Sequence, residues 1–247
     1  MKGHYWQIIL GIILVVLSAL VYVIHYLIFR DAHHIFIYLI GDIAFVFFEV
    51  LLVTLVIHRL LINRERRSRM EKLNMVIGAF FSEVGIKLLT YISDFDPRLE
   101  EKRNELIVNK DWSEKDFRSV AYRLTNYDYE VDIKKVSLQH LRNFLTAKSS
   151  FLLRLFENPN LLEHESFTEV LRAVFHLTEE LGNREDLSTL PTTDYKHLAG
   201  DINRVYIHLV HQWLDYMKHL KNNYPYLFSL ALRTNPFDQK ASPIVTQ

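Results

Sequence analysis

The sequence predicts an all-α protein in which an integral membrane two-helix hairpin is followed by a cytoplasmic helical bundle. Two observations lead to this fold class. Residues 1–62 contain two long apolar runs with few charged side chains, whereas charges are as dense in the remaining chain as in a soluble domain. The 247 residues also include only seven glycines and six prolines, so long helix-compatible runs are seldom interrupted.

The first apolar run, residues 5–29, reads YWQIILGIILVVLSALVYVIHYLIF. It is longer than the roughly 20 residues that a helix needs to cross the hydrocarbon core of a bilayer. A cleaved signal peptide is the alternative interpretation, but the apolar stretch is too long and no small-residue cleavage motif follows it. We therefore expect an uncleaved membrane-spanning helix, which together with the second span forms a hairpin domain over residues 1–62.

The second span, residues 34–62, follows the first after only RDAHH, so the two helices are expected to be antiparallel neighbours. The loop between them offers Arg30 as its basic residue. The chain after the second span is much more basic, with Arg64, Arg66, Arg67, Arg69 and Lys72. The positive-inside rule therefore predicts a multi-pass protein of the cell membrane with both termini in the cytoplasm. Contact of this segment with anionic inner-leaflet lipid is the alternative role.

The second span carries two acids within an otherwise apolar sequence. Asp42 and Glu49 are seven residues apart, which places them about 20° apart around a helix and roughly 10.5 Å apart along it. Tyr38 precedes Asp42 on this face by one turn. A carboxylate near the bilayer centre costs on the order of 2.5–3.5 kcal/mol on insertion scales. Such a cost requires a structural or functional reason.

The first span has a matching polar stripe along one face, where Ser18, Tyr22 and His25 recur at i, i+4 and i+7. Folding the hairpin about its short loop brings the two stripes to the same depth, so they are expected to form an intramembrane polar seam. We expect His25 and Tyr22 to donate hydrogen bonds to Asp42. Glu49 is then either protonated through desolvation or exposed to an aqueous path. The seam either holds the helices together or has a role in binding, conducting or sensing protons or cations.

Residues 63–92 are predicted to combine the basic juxtamembrane segment with a connecting helix, because no proline interrupts them. A strip of small side chains follows one face of this helix: Asn74, Gly78, Ser82 and Gly85. Small residues at this spacing let another helix approach closely. The flanking apolar side chains are expected to be buried: Met75, Ile77, Phe80, Phe81, Val84 and Leu88. We prefer a core helix to an interfacial membrane helix at this position.

Residues 93–233 are predicted to form the cytoplasmic helical domain, beginning after the break at DFDP. Helices are expected at 98–109, 114–125 and 132–157, in SFTEVLRAVFHLTEELG, from Thr193 or Asp194 to about Lys221, and in YPYLFSLALR. Ser113 with Asp116 is typical of a capping box, Ser166 of an N-cap, and Gly182 of a C′ position. Residues 234–247 are polar and proline-containing, which predicts a flexible tail.

The composition excludes several classes of function. No cysteine is present, which excludes disulfides, thiolate catalysis and cysteine-ligated metals. The 29 basic and 29 acidic residues balance, so charge does not favour a nucleic-acid partner. The sequence also lacks a glycine-rich phosphate loop and a G-x-S-x-G elbow. We therefore expect a protein that is not an enzyme and has no resident cofactor.

Histidines provide one weak metal candidate. His208, His211 and Asp215 recur at i, i+3 and i+7 on one helix face, and His219 extends the set by one turn. No E-x-x-H or H-E-x-x-H motif accompanies them. A metal site also needs a converging fourth ligand. The competing interpretation is a set of solvated or hydrogen-bonded histidines.

Taken together, these patterns predict a homo-oligomeric membrane protein that conducts or senses protons or cations under the control of its cytoplasmic domain. Two helices per chain cannot enclose a pore, so Asp42 and Glu49 would have to form acidic rings from several chains. The alternative is a membrane-tethered adaptor or signalling module, in which the acids only stabilise packing and the cytoplasmic surface binds a protein partner. In either case the lipid bilayer is an expected partner and nucleic acid is not.

Overall fold

The computed structural model describes residues 5–159, 161 and 164–245, and within these ranges the protein is helical without any β-strand. The predicted all-α class is therefore confirmed. The chain divides into two compact units, Met1–Arg66 and Arg67–Gln247. The first unit contains α1 (Tyr5–Phe29) and the beginning of α2 (Ala32–Phe80).

A loop of two residues joins α1 to α2. Arg30 adopts a left-handed conformation with φ 49°, and its N–H donates to the Tyr26 carbonyl at 2.8 Å. Asp31 then accepts the His34 N–H at 3.2 Å, as an N-cap of α2 does. The loop thus ends one helix and begins the next by local hydrogen bonds. The chain turns back sharply enough for the His25 ring to stack on the His34 ring, with centroids 5.8 Å apart.

The apolar side chains of the first unit are exposed. Val15 is 71% exposed and Phe47 is 76% exposed, and among the described side chains of α1 only His25 is half-buried. Both apolar helices meet the length and composition criteria for crossing a membrane. Monomeric soluble proteins rarely expose so large an apolar surface to water. An exposed apolar surface of this kind is typical of membrane or protein interaction sites.

The second unit contains the end of α2 and a sequence of shorter helices. These are a π-helical segment (Phe81–Gly85), α3 (Ile86–Ser93), α4 (Leu99–Lys102), a 3₁₀ turn (Arg103–Leu106), α5 (Glu114–Thr125), α6 (Leu138–Phe156), α7 (Glu165–Gly182), α8 (Thr192–Asn223) and α9 (Pro225–Arg233). The long α8 lies at the centre and packs against α3, α5, α7 and α9, while α6 packs on α7. Its core face repeats at helical spacing: Leu198, Ile202, Val205, Leu209, Trp213, Met217 and Leu220.

Two consecutive phenylalanines are buried where α2 passes into the π-helical segment. Phe80 packs edge-on against Phe167, with ring centroids 5.4 Å apart, while Phe81 stacks on Tyr216 at 4.9 Å. A π-turn widens the helix by one residue and so changes the direction of the side chains around it. Gly85 ends this segment next to both rings, because a Cβ there would lie 2.6 Å from Phe81 Cδ1 and 3.0 Å from Phe80 Cε1.

Replacing Gly85 with alanine is expected to lower the free energy of unfolding by about 1–3 kcal/mol, because the added methyl group would overlap two buried rings. Gly200→Ala is the matched control, since this glycine lies within α8 and a Cβ there would have no neighbour within 4 Å. The control should gain roughly 0.5–1 kcal/mol of stability. Unfolding of the full chain in detergent measures both, and effects of the same sign would contradict the packing seen at Gly85.

Two predicted helices are shorter in the structure. The predicted helix 98–109 is limited to α4 and the 3₁₀ turn, since Ile107 leaves the helical region with ψ 87° and the Leu106 carbonyl accepts from Asn235 Nδ2. The predicted helix 132–157 begins only at Leu138, after Ser137 as N-cap. Upstream, the Asp132 N–H donates to the Phe95 carbonyl, so this stretch packs as a loop on the end of α3.

Smaller corrections concern caps, burial and the tail. His164 caps α7 in place of Ser166, whose hydroxyl instead donates to Gln212 Oε1 at 2.9 Å. Gly182 is the last residue of α7 rather than its C′ residue.

Met75 is 65% exposed, whereas the other five apolar residues expected beside the small-residue strip are buried. The segment predicted as a flexible tail is anchored in the core by Phe237, which packs against Trp213 at 4.9 Å.

Candidate functional site

The predicted polar seam is assembled only in part. A groove of about 410 Å³ lies near the loop between α1 and α2, and its lining residues are Val21, Tyr22, His25, His34, Ile35 and Tyr38. His34 is the central member, because its ring stacks on His25 and lies 4.5 Å from Tyr38. The sequence analysis missed His34, although it precedes Tyr38 by one turn on the same face.

The two carboxylates do not join this groove. Asp42, Glu49 and Ser18 are exposed, and within the part of the chain that the structure describes no hydrogen bond or ion pair joins either acid to another side chain. The expected hydrogen bonds from His25 and Tyr22 to Asp42 are therefore not formed. His25 faces His34 instead. Neither acid therefore has a side-chain partner among the described residues.

The basic segment lies along α2 as an exposed helical surface. Its members Arg64, Arg66, Arg67, Arg69 and Lys72 are all exposed. Arg67 Nε donates to Glu71 Oε1 at 3.2 Å, a pair at i, i+4. Such exposed pairs contribute about 0.3–0.5 kcal/mol each. The segment is thus a solvent-exposed basic surface of the helix.

The histidine set predicted on α8 is not a compact ligand group. His208 and His211 are half-buried and Asp215 is exposed, and their ligand atoms do not all lie within 4.8 Å of one another. Burial lowers the pKa of His211, whereas the neighbouring Asp215 opposes this shift. His219 Nδ1 faces the amide nitrogens of Asn74 at 3.3 Å and Asn223 at 3.2 Å. These contacts fit the competing interpretation of hydrogen-bonded histidines.

A different group, shared by α7 and α8, does meet that distance. Glu180 on α7 and His197 and Asp201 on α8 each offer a ligand atom, and these atoms lie within 4.8 Å of one another. His176, which lies on α7, contacts both carboxylates. Its Nε2 is 3.8 Å from Glu180 Oε1 and 3.6 Å from Asp201 Oδ2. We refer to these four residues as the His–carboxylate cluster.

The cluster arises from two pairs of residues at helical spacing. His176 and Glu180 are four residues apart on α7, and His197 and Asp201 are four residues apart on α8, so each pair lies on one helix face. Packing of α7 on α8 brings the two faces together. His197 Nε2 lies 3.5 Å from Glu180 Oε2 and 3.3 Å from Asp201 Oδ2, which connects the helices.

Two arginines hold the carboxylates from outside. Arg184 Nη1 donates to Glu180 Oε2 at 2.7 Å, and its Nε and Nη2 donate to the two oxygens of Asp194, each at 2.7 Å. This contact holds the pKa of Glu180 below its usual range, so the carboxylate is ionised at neutral pH. Arg204 Nη1 donates to Asp201 Oδ1 at 2.7 Å.

The sequence analysis missed this cluster, and the reason is physical. The signals H-x-x-x-E at 176–180 and H-x-x-x-D at 197–201 are each common on solvated helices. Only the tertiary packing of α7 on α8 shows that the two pairs share one site. The histidines later in α8, in contrast, lie close together in the sequence itself.

Comparisons with known proteins identify the family. Residues 69–233 match the family model described as "Uncharacterized protein MJ1433, C-terminal helical domain", and residues 2–61 match "MJ1433, N-terminal helical domain". The "Uncharacterized protein MJ1433" of Methanocaldococcus jannaschii is 50% identical over 241 residues, which cover 98% of this chain and 97% of that protein. No solved structure matches the chain. The chain therefore belongs to the MJ1433 family.

Proposed function

We propose that the protein is a non-enzymatic, homo-oligomeric membrane protein, in which the hairpin of each chain contributes Asp42 and Glu49 to an intermolecular path for protons or cations. Both termini and the second unit lie in the cytoplasm, where the helical domain assembles or regulates the oligomer. The observation that carries this proposal is the exposure of both carboxylates on the apolar part of α2, without a partner among the described residues of their own chain.

Exposure of the hairpin supports a location in lipid. The side chains along α1 and along α2 up to residue 62 are almost all exposed, and they are mostly apolar. A helix such as α1, 25 residues long, extends about 37 Å and exceeds the hydrocarbon thickness of about 30 Å. The exposed arginines after residue 62 then mark the cytoplasmic end of the second span.

The two acids support assembly of several chains. A lone carboxylate in hydrocarbon costs on the order of 2.5–3.5 kcal/mol or more, so it is retained where it meets a partner or water. Within the described part of the chain no such partner is present, and the exposed Gly11 and Gly41 leave room for a neighbouring helix. Copies of the chain around a common axis would place Asp42 and Glu49 in acidic rings, which favour cations.

The test is Glu49→Gln in the full chain reconstituted into lipid vesicles. Loss of the charge is expected to lower proton or cation uptake at least about 10-fold, since the carboxylate would form the acidic ring. Thr54→Val is the matched control on the same span, because Thr54 lies five residues further and about 140° around the helix. The control should transport as the natural chain does.

The oligomeric state is measured on the same samples by their mass in detergent. A monomer would contradict the proposal, as would equal uptake by Glu49→Gln and the natural chain. An oligomer that transports neither protons nor cations would assign the acids to packing. The protein would then be better described as a membrane-tethered adaptor that binds a cytoplasmic protein.

A further inference from the structure

The His–carboxylate cluster leaves one buried oxygen without a hydrogen-bond donor. Asp201 is only 3% exposed, and Arg204 binds its Oδ1, but Oδ2 has no hydrogen-bond partner within the described ranges. This oxygen points toward His197 Nε2 at 3.3 Å and His176 Nε2 at 3.6 Å. A buried carboxylate oxygen without a donor is costly and needs an explanation.

Three of the four separations between the facing atoms match those of a tetrahedral metal site, and the contact of His176 with Glu180 is slightly longer. The contacts between the two imidazoles and the two carboxylates range from 3.3 Å for His197 with Asp201 to 3.8 Å for His176 with Glu180. Ligands about 2.0–2.2 Å from a tetrahedral Zn²⁺ are separated from each other by roughly 3.3–3.6 Å. Glu180, His197 and Asp201 therefore converge on a position that a cation of this size can occupy, and His176 lies beside them, within 3.6 Å of Asp201 Oδ2.

From this geometry we infer that the cluster binds one divalent first-row transition metal ion, such as Zn²⁺, between α7 and α8. Asp201 Oδ2, His197 Nε2 and the Glu180 carboxylate form the compact part of the site, and His176 Nε2 is the fourth ligand. Two imidazole nitrogens favour a transition metal over Mg²⁺ or Ca²⁺, which prefer oxygen ligands. The ion links the two helices, so it stabilises their packing.

The residues around the cluster support this assignment. Metal-binding carboxylates are usually held by groups outside the coordination shell. Here Arg184 binds Glu180 and, through two hydrogen bonds, Asp194, while Arg204 binds Asp201. Each arginine takes one oxygen of its carboxylate, and the second oxygen remains directed at a histidine. The inference uses only the second unit and does not depend on the membrane proposal.

The experiment uses the full chain, purified in detergent without a polyhistidine tag and treated with a chelator. Titration with Zn²⁺ should saturate at one ion per chain, and Co²⁺ should give the intense visible absorption of tetrahedral coordination. Zinc at about 100 times its Kd should raise the Tm by roughly 5–10 °C. Asp201→Asn and His197→Gln should each weaken binding at least about 100-fold.

His208→Gln is the matched control, because it removes a histidine from the same helix outside the cluster and should leave zinc affinity unchanged. His197 is half exposed, so its replacement leaves the fold intact and any loss of binding is not a loss of folding. The inference is overturned if the natural chain binds no stoichiometric zinc, or if His197→Gln keeps the natural affinity. It is equally overturned if His208→Gln abolishes binding while Asp201→Asn does not.

Discussion

Replacing Phe80 with alanine is expected to lower the free energy of unfolding by about 3–5 kcal/mol, the range typical of a large aromatic ring lost from a core. Phe80 is fully buried at the end of α2, and its ring packs edge-on against Phe81 at 5.5 Å and Phe167 at 5.4 Å. Removing the ring breaks both aromatic contacts and opens a cavity among residues of three elements. Thermal or denaturant unfolding of the full chain in detergent measures the loss.

Two further variants show whether the loss comes from the cavity. Phe80→Leu fills most of the space and should cost less than about 1.5 kcal/mol, as volume-conserving changes do. Tyr122→Ala removes another aromatic ring from a side chain that is 74% exposed and should change stability by no more than about 0.5 kcal/mol. Equal losses in Phe80→Ala and Tyr122→Ala would show that Phe80 is not part of the core.

Replacing Asp96 with alanine should cost about 2–3 kcal/mol, because two donors would lose a charged acceptor. Asp96 is buried after the end of α3, where its carboxylate accepts the Tyr127 hydroxyl at 2.8 Å and the Arg98 N–H at 2.9 Å. These hydrogen bonds attach the loop that follows α5 to the end of α3. Without them the Tyr127 hydroxyl and the Arg98 N–H would each lack their acceptor. Unfolding of the full chain in detergent reports the change.

Asp96→Asn is the matched control, since its amide oxygen still accepts the Arg98 N–H, and it should cost less than about 1 kcal/mol. The same variant also tests the ionisation of Asp96. Burial raises the pKa of Asp96 above its ordinary value of 3.8, so the folded state binds a proton more readily than the unfolded state. The contribution of Asp96 to the free energy of unfolding should therefore fall as pH rises between the two pKa values. Asp96→Asn should lack this negative contribution to the pH dependence, and identical pH dependences of the variant and the natural chain would contradict the assignment.

Elements with local signals were predictable from the sequence. The helix α5 begins at the predicted residue because Ser113 and Asp116 form a capping box whose two partners are three residues apart. The bounds of α1 coincide with the apolar run from Tyr5 to Phe29. Both depend on interactions within a few residues, which a sequence displays directly. The location of the hairpin in a membrane remains a prediction.

Features that depend on distant residues were not predictable in this way. The late beginning of α6 depends on a hydrogen bond from Asp132 to Phe95, and the order of the tail depends on Phe237 packing against Trp213. At the start of the π-helical segment two adjacent phenylalanines are buried together, which α-helical periodicity alone does not anticipate. The His–carboxylate cluster likewise exists only after α7 and α8 have packed.

The arginine at the beginning of the connection between α7 and α8 has a consequence for how an ion would enter the cluster. Arg184 ties Glu180, near the end of one helix, to Asp194, near the beginning of the next. The Glu180 carboxylate is thus preorganised, and little of its conformational entropy remains to be lost on coordination. The rearrangement that coordination requires would then fall mainly on the two histidines, whose side chains are about half exposed.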